Sequence, residues 1–164
     1  MNKRFILFCS LIISATVVVA QQGDVDKLIK MLDWNARQID TTLKKQGYIL
    51  MQKEVDSSST LYLYSFLDRK EEQPTTLRSL AYMDVQAGDL KSRLITYRTY
   101  SKEEFQEISS YLLSHNYQAK EKYDFGESKH TVYSNGSQSI RVKVTTTVLK
   151  GGKRFVVYEL ELGK

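Results

Sequence analysis

Two short stretches decide how this chain reads: Lys45-Gln46-Gly47-Tyr48 and Ser114-His115-Asn116-Tyr117. Each closes a run of helically spaced apolar residues and opens a run of strand-like sequence. Gly47 can take a left-handed C-cap without strain, and Asn116 is the next best residue at positive φ. Upstream of the first exit, apolar residues fall at Val25, Leu28, Ile29, Leu32, Ala36, Ile39 and Leu43, with Lys, Arg, Asp and Gln on the other side. That spacing predicts one amphipathic helix of about five turns, with Asp24 as N-cap and Lys44 and Lys45 in the last turn. Upstream of the second exit, Ser101-Lys102-Glu103-Glu104 reads as a capping box in which Ser101 and Glu104 satisfy each other's orphan donors. Phe105, Ile108, Tyr111 and Leu112 supply that helix's buried stripe.

Working outward, each exit leads into about ten strand-like residues containing a Lys-Glu or Glu-Lys pair, and then into three more strand candidates. These are 61–67, 77–85 and 91–100 in the first half, and 130–134, 139–149 and 154–162 in the second. The loop between the second and third candidates is long and polar in the first half (Arg69-Lys70-Glu71-Glu72-Gln73-Pro74-Thr75). In the second it is short, Asn135-Gly136-Ser137. The simplest description is an α+β fold of two tandem repeats, each one helix plus a four-stranded antiparallel sheet, with the helices packed on one face. The organisation is then a leader at 1–20, a first unit at 21–100 and a second at 101–164. Each unit is too small to be stable alone, so the two sheets are expected to join or abut.

The last hairpin carries a register argument. Ile140, Val142, Val144, Thr146 and Val148 alternate with Arg141, Lys143, Thr145 and Thr147; Val156, Tyr158, Leu160 and Leu162 alternate with Phe155, Val157, Glu159 and Glu161. A two-residue turn at Gly151-Gly152 would set Leu160 against Lys143. A three-residue loop, Gly151-Gly152-Lys153, pairs Val144 with Leu160 and Val142 with Leu162, and a one-residue slip would flip every side chain. The three-residue loop with a left-handed glycine and a bulge is therefore expected.

Residues 1–20 read as a cleavable secretory signal peptide: basic Met1-Asn2-Lys3-Arg4, an apolar run from Phe5 to Val19, and a close on Val18-Val19-Ala20. The run is shorter than the ~20 apolar residues that cross a bilayer. Phe8 before Cys9 does not fit a lipoprotein site, which takes a small residue there. Cleavage leaves 144 of the 164 residues, lowers the formal charge from +5 to +3 with the loss of Lys3 and Arg4, and removes the only cysteine. A periplasmic or secreted protein results, with no transmembrane segment after signal removal, held by its core alone. The charge is too small and scattered for nucleic acid.

No motif fixes a chemistry. His115 ends a helix and His130 lies on a strand, and neither has the carboxylate or cysteine spacing of a metal site. No nucleophile elbow accompanies His130, and Ser57-Ser58-Ser59 reads as a polar loop. Glu159 and Glu161 share a strand face about 7 Å apart, a spacing compatible with acid/base work on a sugar, but charges on a terminal strand more often protect an edge. Lys150-Gly151-Gly152-Lys153-Arg154 is a basic hairpin tip without the strand–loop–helix context of a nucleotide site. Asn135-Gly136-Ser137 matches a glycosylation acceptor and equally a turn. No catalytic residue, metal or cofactor is expected, and the chain is read as a non-enzyme.

Tyrosines are the most suggestive feature. Of 11, Tyr62, Tyr64, Tyr82, Tyr97, Tyr100, Tyr123, Tyr133 and Tyr158 fall in strand candidates, with Arg78, Arg93, Arg98, Arg141 and Lys143 among them. Tyrosine and arginine are enriched where proteins grip partners, although tyrosine is also a good former of half-buried strands. The expected partner-binding set is Tyr62, Tyr64, Tyr82, Tyr97, Arg78, Arg141 and Lys143, on an open sheet face.

Tandem helix-plus-four-strand units with the paired exits Gly47-Tyr48 and Asn116-Tyr117 resemble the β-lactamase-inhibitor-protein-like fold. The resemblance covers the mature chain, in element order and in those paired exits. It implies a concave sheet that clasps a target protein through aromatic contacts; no inhibitory residue carries over, and a β-lactamase target is not implied. The expected function is an exported binding protein that engages a protein partner in the envelope or outside the cell. The alternative is a periplasmic carrier of a lipid or small hydrophobic ligand held between helix and sheet.

Overall fold

A computed structural model describes residues 25–68, 75–148, 152 and 154–164. The expected signal peptide, the expected Asp24 cap, the expected polar loop at 69–74 and most of the expected basic tip at 149–153 lie outside the described residues. In chain order the elements are a helical segment at 25–31 (α1), α2 (Ala36–Lys45), β1 (Ile49–Val55), β2 (Ser59–Asp68), β3 (Thr75–Ala87) and β4 (Leu90–Thr99). There follow α3 (Lys102–Ser114), β5 (Gln118–Phe125), β6 (Ser128–Ser134), β7 (Ser139–Val148) and β8 (Arg154–Gly163).

The expected α+β fold of two four-stranded repeats is overturned. Among the described residues the chain is mostly sheet: eight strands form one antiparallel sheet in the order β1-β2-β3-β4-β8-β7-β6-β5, accompanied by three helices. The joint is the β4–β8 ladder, where Ile95 pairs with Leu162, Tyr97 with Leu160 and Arg98 with Glu159. Hydrogen bonding there satisfies two strands that would otherwise be exposed edges. The chain continues the ladder to its last residue: Arg93 and Lys164 exchange backbone hydrogen bonds at 2.9 and 3.0 Å. β8 is thus interior, and the edge-protecting reading of Glu159 and Glu161 falls with it.

One expected helix is two. Leu32, Asp33 and Trp34 turn back onto Ile29, Lys30 and Met31 with tight i→i−3 hydrogen bonds, and α2 restarts from Asn35. Asn35 and Gln38 form a true capping box: the Gln38 amide donates to Asn35 Oδ1 and the Asn35 amide to Gln38 Oε1, each at 2.9 Å. Leu32 and Ala36 are four apart, so the apolar stripe runs through the break without showing it. The box expected at α3 is half formed. Ser101 Oγ accepts from the Glu104 amide at 3.1 Å, but the Ser101 amide donates to Thr99 Oγ1 instead. The Glu104 carboxylate turns into the core.

Both helix exits match their expectation. Asn116 has φ 61 and Gly47 φ 88. The Tyr48 amide reaches back to the Leu43 carbonyl at 3.0 Å and the Tyr117 amide to Leu112 at 2.9 Å, closing the helix ends. A Cβ on Gly47 would also meet Phe66 Cε2 at 3.2 Å, whereas one on Gly136 (φ 93) meets nothing within 4 Å. Gly47→Ala is therefore expected to lose about 1–2 kcal/mol in urea unfolding, and more than Gly136→Ala; an equal loss would show that Phe66 yields.

The core lies between the helices and one face of the sheet. Val25, Leu28, Met31 and Leu32 from the α1 region, Ile39 and Leu43 from α2, and Ile108, Tyr111 and Leu112 from α3 are buried with Tyr64, Leu80, Tyr82, Ile95, Tyr97, Ile140, Val142, Leu160 and Leu162. Those strand residues line up across the ladders, as in the row Tyr64–Leu80–Tyr97–Leu160–Val142, so they share one face.

The terminal hairpin keeps its expected faces and shifts its expected register. Val142 pairs with Leu160 and Ile140 with Leu162, two residues away from the predicted pairs. A two-residue shift leaves every side chain on its face, so the apolar pattern cannot detect it. Charge selects the register: Arg141 now lies opposite Glu161 and Lys143 opposite Glu159, and both become ion pairs, at 2.8 and 3.5 Å.

Candidate functional site

With the helices on one face, the other face of the sheet is the candidate surface. It has two regions. Leu63, Ala81 and Thr96 pair in one row and Leu61, Met83 and Leu94 in the next, giving a half-buried apolar shelf over β2–β4. Beyond it, Ser79, Arg98, Glu159, Lys143, His130 and Tyr123 run in one line across β3, β4, β8, β7, β6 and β5.

In this second region the carboxylates lie beneath the cations. The Glu159 side chain is 11% exposed, while its partners Arg98 and Lys143 are 45% and 36% exposed. Arg98 donates through Nε and Nη2 to Glu159 Oε2, the former at 2.9 Å. Arg141 pairs with the more exposed Glu161 through a single Nη1 hydrogen bond at 2.8 Å. The groups presented outward are therefore guanidinium and ammonium groups on supports that hold them in place.

His130 stacks on Tyr123 with ring centroids 4.8 Å apart and planes within 4°. Both of its ring nitrogens are buried without a hydrogen-bond partner, so nothing orients it as a base. His115 caps α3, with Nδ1 2.9 Å from the Tyr111 carbonyl and its ring stacked on Tyr111 at 3.8 Å. Among the described residues no group of three or more His, Cys, Asp and Glu could hold a metal, and no helix is long and apolar enough to cross a membrane. Asn135-Gly136-Ser137 is a turn in which Asn135 Oδ1 accepts from the Ser137 and Gln138 amides.

The expected partner-binding residues divide between the two faces. Arg141 and Lys143 lie on the uncovered face, as just described. Tyr64, Tyr82 and Tyr97 do not: they are 1%, 0% and 5% exposed beneath the helices, and a ring with no accessible surface cannot anchor a partner. Tyr62 is partly buried against the same core, 5.9 Å from Tyr82. Arg78 also faces the helices, with its Nε 2.9 Å from Glu104 Oε2. The physical reason is a set of carboxylates on the helix side of the sheet that accept the tyrosine hydroxyls. Tyr64 donates to Asp40 and Tyr82 to Asp84, each at 3.2 Å, Tyr97 to Glu104 at 2.5 Å, and Tyr111 to Asp26. A tyrosine so paired is a core residue with a satisfied polar tip.

These pairings move the hydroxyls' acidity. Burial first, and then Asp84, pushes Tyr82 up to about 12. Burial and Asp40 raise Tyr64, burial with Tyr48 and Glu104 raises Tyr97, and burial with Asp26 raises Tyr111 and Tyr117. The residues missed from sequence were the outward cation Arg98 and the apolar shelf; the available signal was the matching charge spacing of Arg141, Lys143, Glu159 and Glu161.

The described residues also form two clefts. A polar one of about 490 Å³ lies at one end of the sheet, lined by Asp33, the Ser57–Ser59 loop, Asp84, Lys91, Arg93 and Lys164. Its charges are largely spent on one another, Arg93 on Asp84 and Lys164 on Asp33. A second, of about 260 Å³, opens between α1, the end of α2 and the sheet. No family model, curated protein or solved structure matches the chain.

Proposed function

We propose that this chain is an exported, non-enzymatic binding protein, periplasmic or secreted, that engages a protein partner through the uncovered sheet face. The observation that supports this most is the pairing of an apolar shelf (Leu61, Leu63, Met83, Leu94) with Arg98, Arg141 and Lys143 held outward over Glu159 and Glu161. Apolar area beside fixed cations suits a partner that offers apolar side chains flanked by carboxylates. From the β-lactamase-inhibitor-protein-like resemblance only the mode of engagement is retained, a sheet face against a protein surface. A carrier of long-chain lipid is not adopted as the main reading, because the cleft between helices and sheet holds about 260 Å³, below the ~300–1,000 Å³ of drug-sized sites.

The test is capture of a stoichiometric protein from envelope extract by the immobilised protein, repeated with Met83→Asp and Arg141→Glu. Each variant is expected to weaken binding about tenfold or more, the scale of losing one well-placed contact, while thermal unfolding stays near that of the parent. Retention of the partner by both folded variants would remove the sheet face from consideration.

A further inference from the structure

The 260 Å³ cleft on the helix side has a distinct chemistry, independent of the sheet face. Its walls are Leu28 and Met31 of α1, Leu43 of α2, Phe66 of β2 and Leu80 of β3. Its polar lining includes Arg78, Lys27 and Gln46, and no Asp or Glu is among the described lining residues. Arg78 is fixed on two sides: Nε is held by the buried Glu104 at 2.9 Å, and the guanidinium lies over the Phe66 ring, 5.7 Å from its centroid. A guanidinium fixed by a carboxylate behind it is pre-organised to receive an anion in front, because little of its freedom remains to be lost. Lys27, on the opposite wall, has no ion-pair partner among the described residues.

From this arrangement we infer that the cleft is a binding site for a small amphiphilic carboxylate, its charged end between Arg78 and Lys27 and its apolar body along Leu28, Met31, Leu43 and Leu80. Size follows from volume. A cavity of ~150 Å³ takes benzene, so 260 Å³ accommodates on the order of ten heavy atoms at the same density. That matches a medium-chain acid such as octanoate, whereas most of a long acyl chain would project from the open cleft into water. Charge recognition and apolar burial are both required: a neutral compound gains nothing from Lys27 or from the guanidinium that Glu104 holds in place, and inorganic phosphate or acetate leaves the wall unfilled.

The experiment is titration of the purified protein with octanoate, 1-octanol, acetate and hexadecanoate, followed by calorimetry and by methyl NMR. Octanoate is expected to bind and to shift the Met31, Leu28 and Leu43 methyls while leaving Met83 and Leu94 on the other face unmoved. Octanol and acetate are each expected to bind about tenfold more weakly or worse. Lys27→Met, at a partly exposed site, is expected to weaken octanoate several-fold and leave octanol unchanged. Arg78→Lys is expected to weaken octanoate about tenfold, with its folding checked by circular dichroism. The site is overturned if octanoate shifts nothing in the cleft up to millimolar concentration. It is equally overturned if octanol matches octanoate, if hexadecanoate binds as well as octanoate, or if Lys27→Met leaves octanoate affinity intact. Because its readout is the helix-side methyls, its failure leaves the sheet-face reading untouched.

Discussion

Glu104→Ala is expected to destabilise the protein by about 3–5 kcal/mol, the cost of breaking a buried ion pair from one side. Glu104 is 8% exposed and accepts from three donors: Tyr97 Oη at 2.5 Å, Thr99 Oγ1 at 2.6 Å and Arg78 Nε at 2.9 Å. Those donors come from β3 (Arg78) and β4 (Tyr97 and Thr99), so one carboxylate ties α3 to the middle of the sheet. Removing it leaves a guanidinium and two hydroxyls without their acceptor. Each buried unmade hydrogen bond adds roughly 1–3 kcal/mol of desolvation that nothing offsets. Glu104→Gln keeps the shape and one acceptor oxygen, so its loss is expected to be smaller. The double replacement Arg78→Met with Glu104→Leu is expected to lose less than Glu104→Ala alone, because no charge is left unpaired. Urea unfolding of the four proteins decides the matter. A loss under about 1 kcal/mol for Glu104→Ala would mean that water replaces the carboxylate, the cost of an ordinary exposed pair.

This network also shows where sequence reading stops. The alternation of Ile140, Val142 and Val144 against Arg141 and Lys143 identifies the core face of β7 directly, because only one face is apolar. In β2, Leu61 and Leu63 alternate with Tyr62 and Tyr64, so both faces are apolar and parity is silent about which one meets the helices. The tyrosine hydroxyls could be placed only by finding their acceptors. Of these, Asp84 stands two residues from Tyr82 on the same strand face, but Asp40 and Glu104 are 24 and 7 residues away from their tyrosines. Local chemistry was readable at the helix exits, where Gly47 and Asn116 each satisfy a conformational demand on their own. It was misread at Asp33–Asn35, where an Asn-x-x-Gln box ends one helix and begins another beneath an unbroken apolar stripe. The joining of β4 to β8 is a long-range choice. Its trace in sequence is the charge match of Arg98 with Glu159, which has meaning only once the two strands are known to be neighbours.

Raising the pH past 10 is expected to unfold the protein in one cooperative step, with tyrosine ionisation and loss of circular dichroism coinciding. Tyr64, Tyr82, Tyr97 and Tyr111 each hold their proton against a carboxylate, and each is raised above its ordinary value, first by burial and then by charged neighbours. In the unfolded chain they ionise near ~10, while in the folded chain Tyr82 waits until about 12. The folded state thus binds more protons than the unfolded one in this interval, so stability falls as pH rises. The contribution is fully present below pH ~10 and is lost as pH climbs through the folded values. At pH 11 the loss is about 1.4 kcal/mol for each tyrosine that ionises only on unfolding, or about 6 kcal/mol for four. That approaches the whole stability of an ordinary domain, roughly 5–15 kcal/mol. Tyr82→Phe removes one such proton, so the alkaline slope of stability is expected to fall by about 1.4 kcal/mol per pH unit. Its effect at neutral pH is the loss of one hydrogen bond, about 1 kcal/mol. If the tyrosines instead titrate gradually near pH 10 while circular dichroism holds, their hydroxyls are open to water. The carboxylate pairing would then no longer explain why these tyrosines face inward.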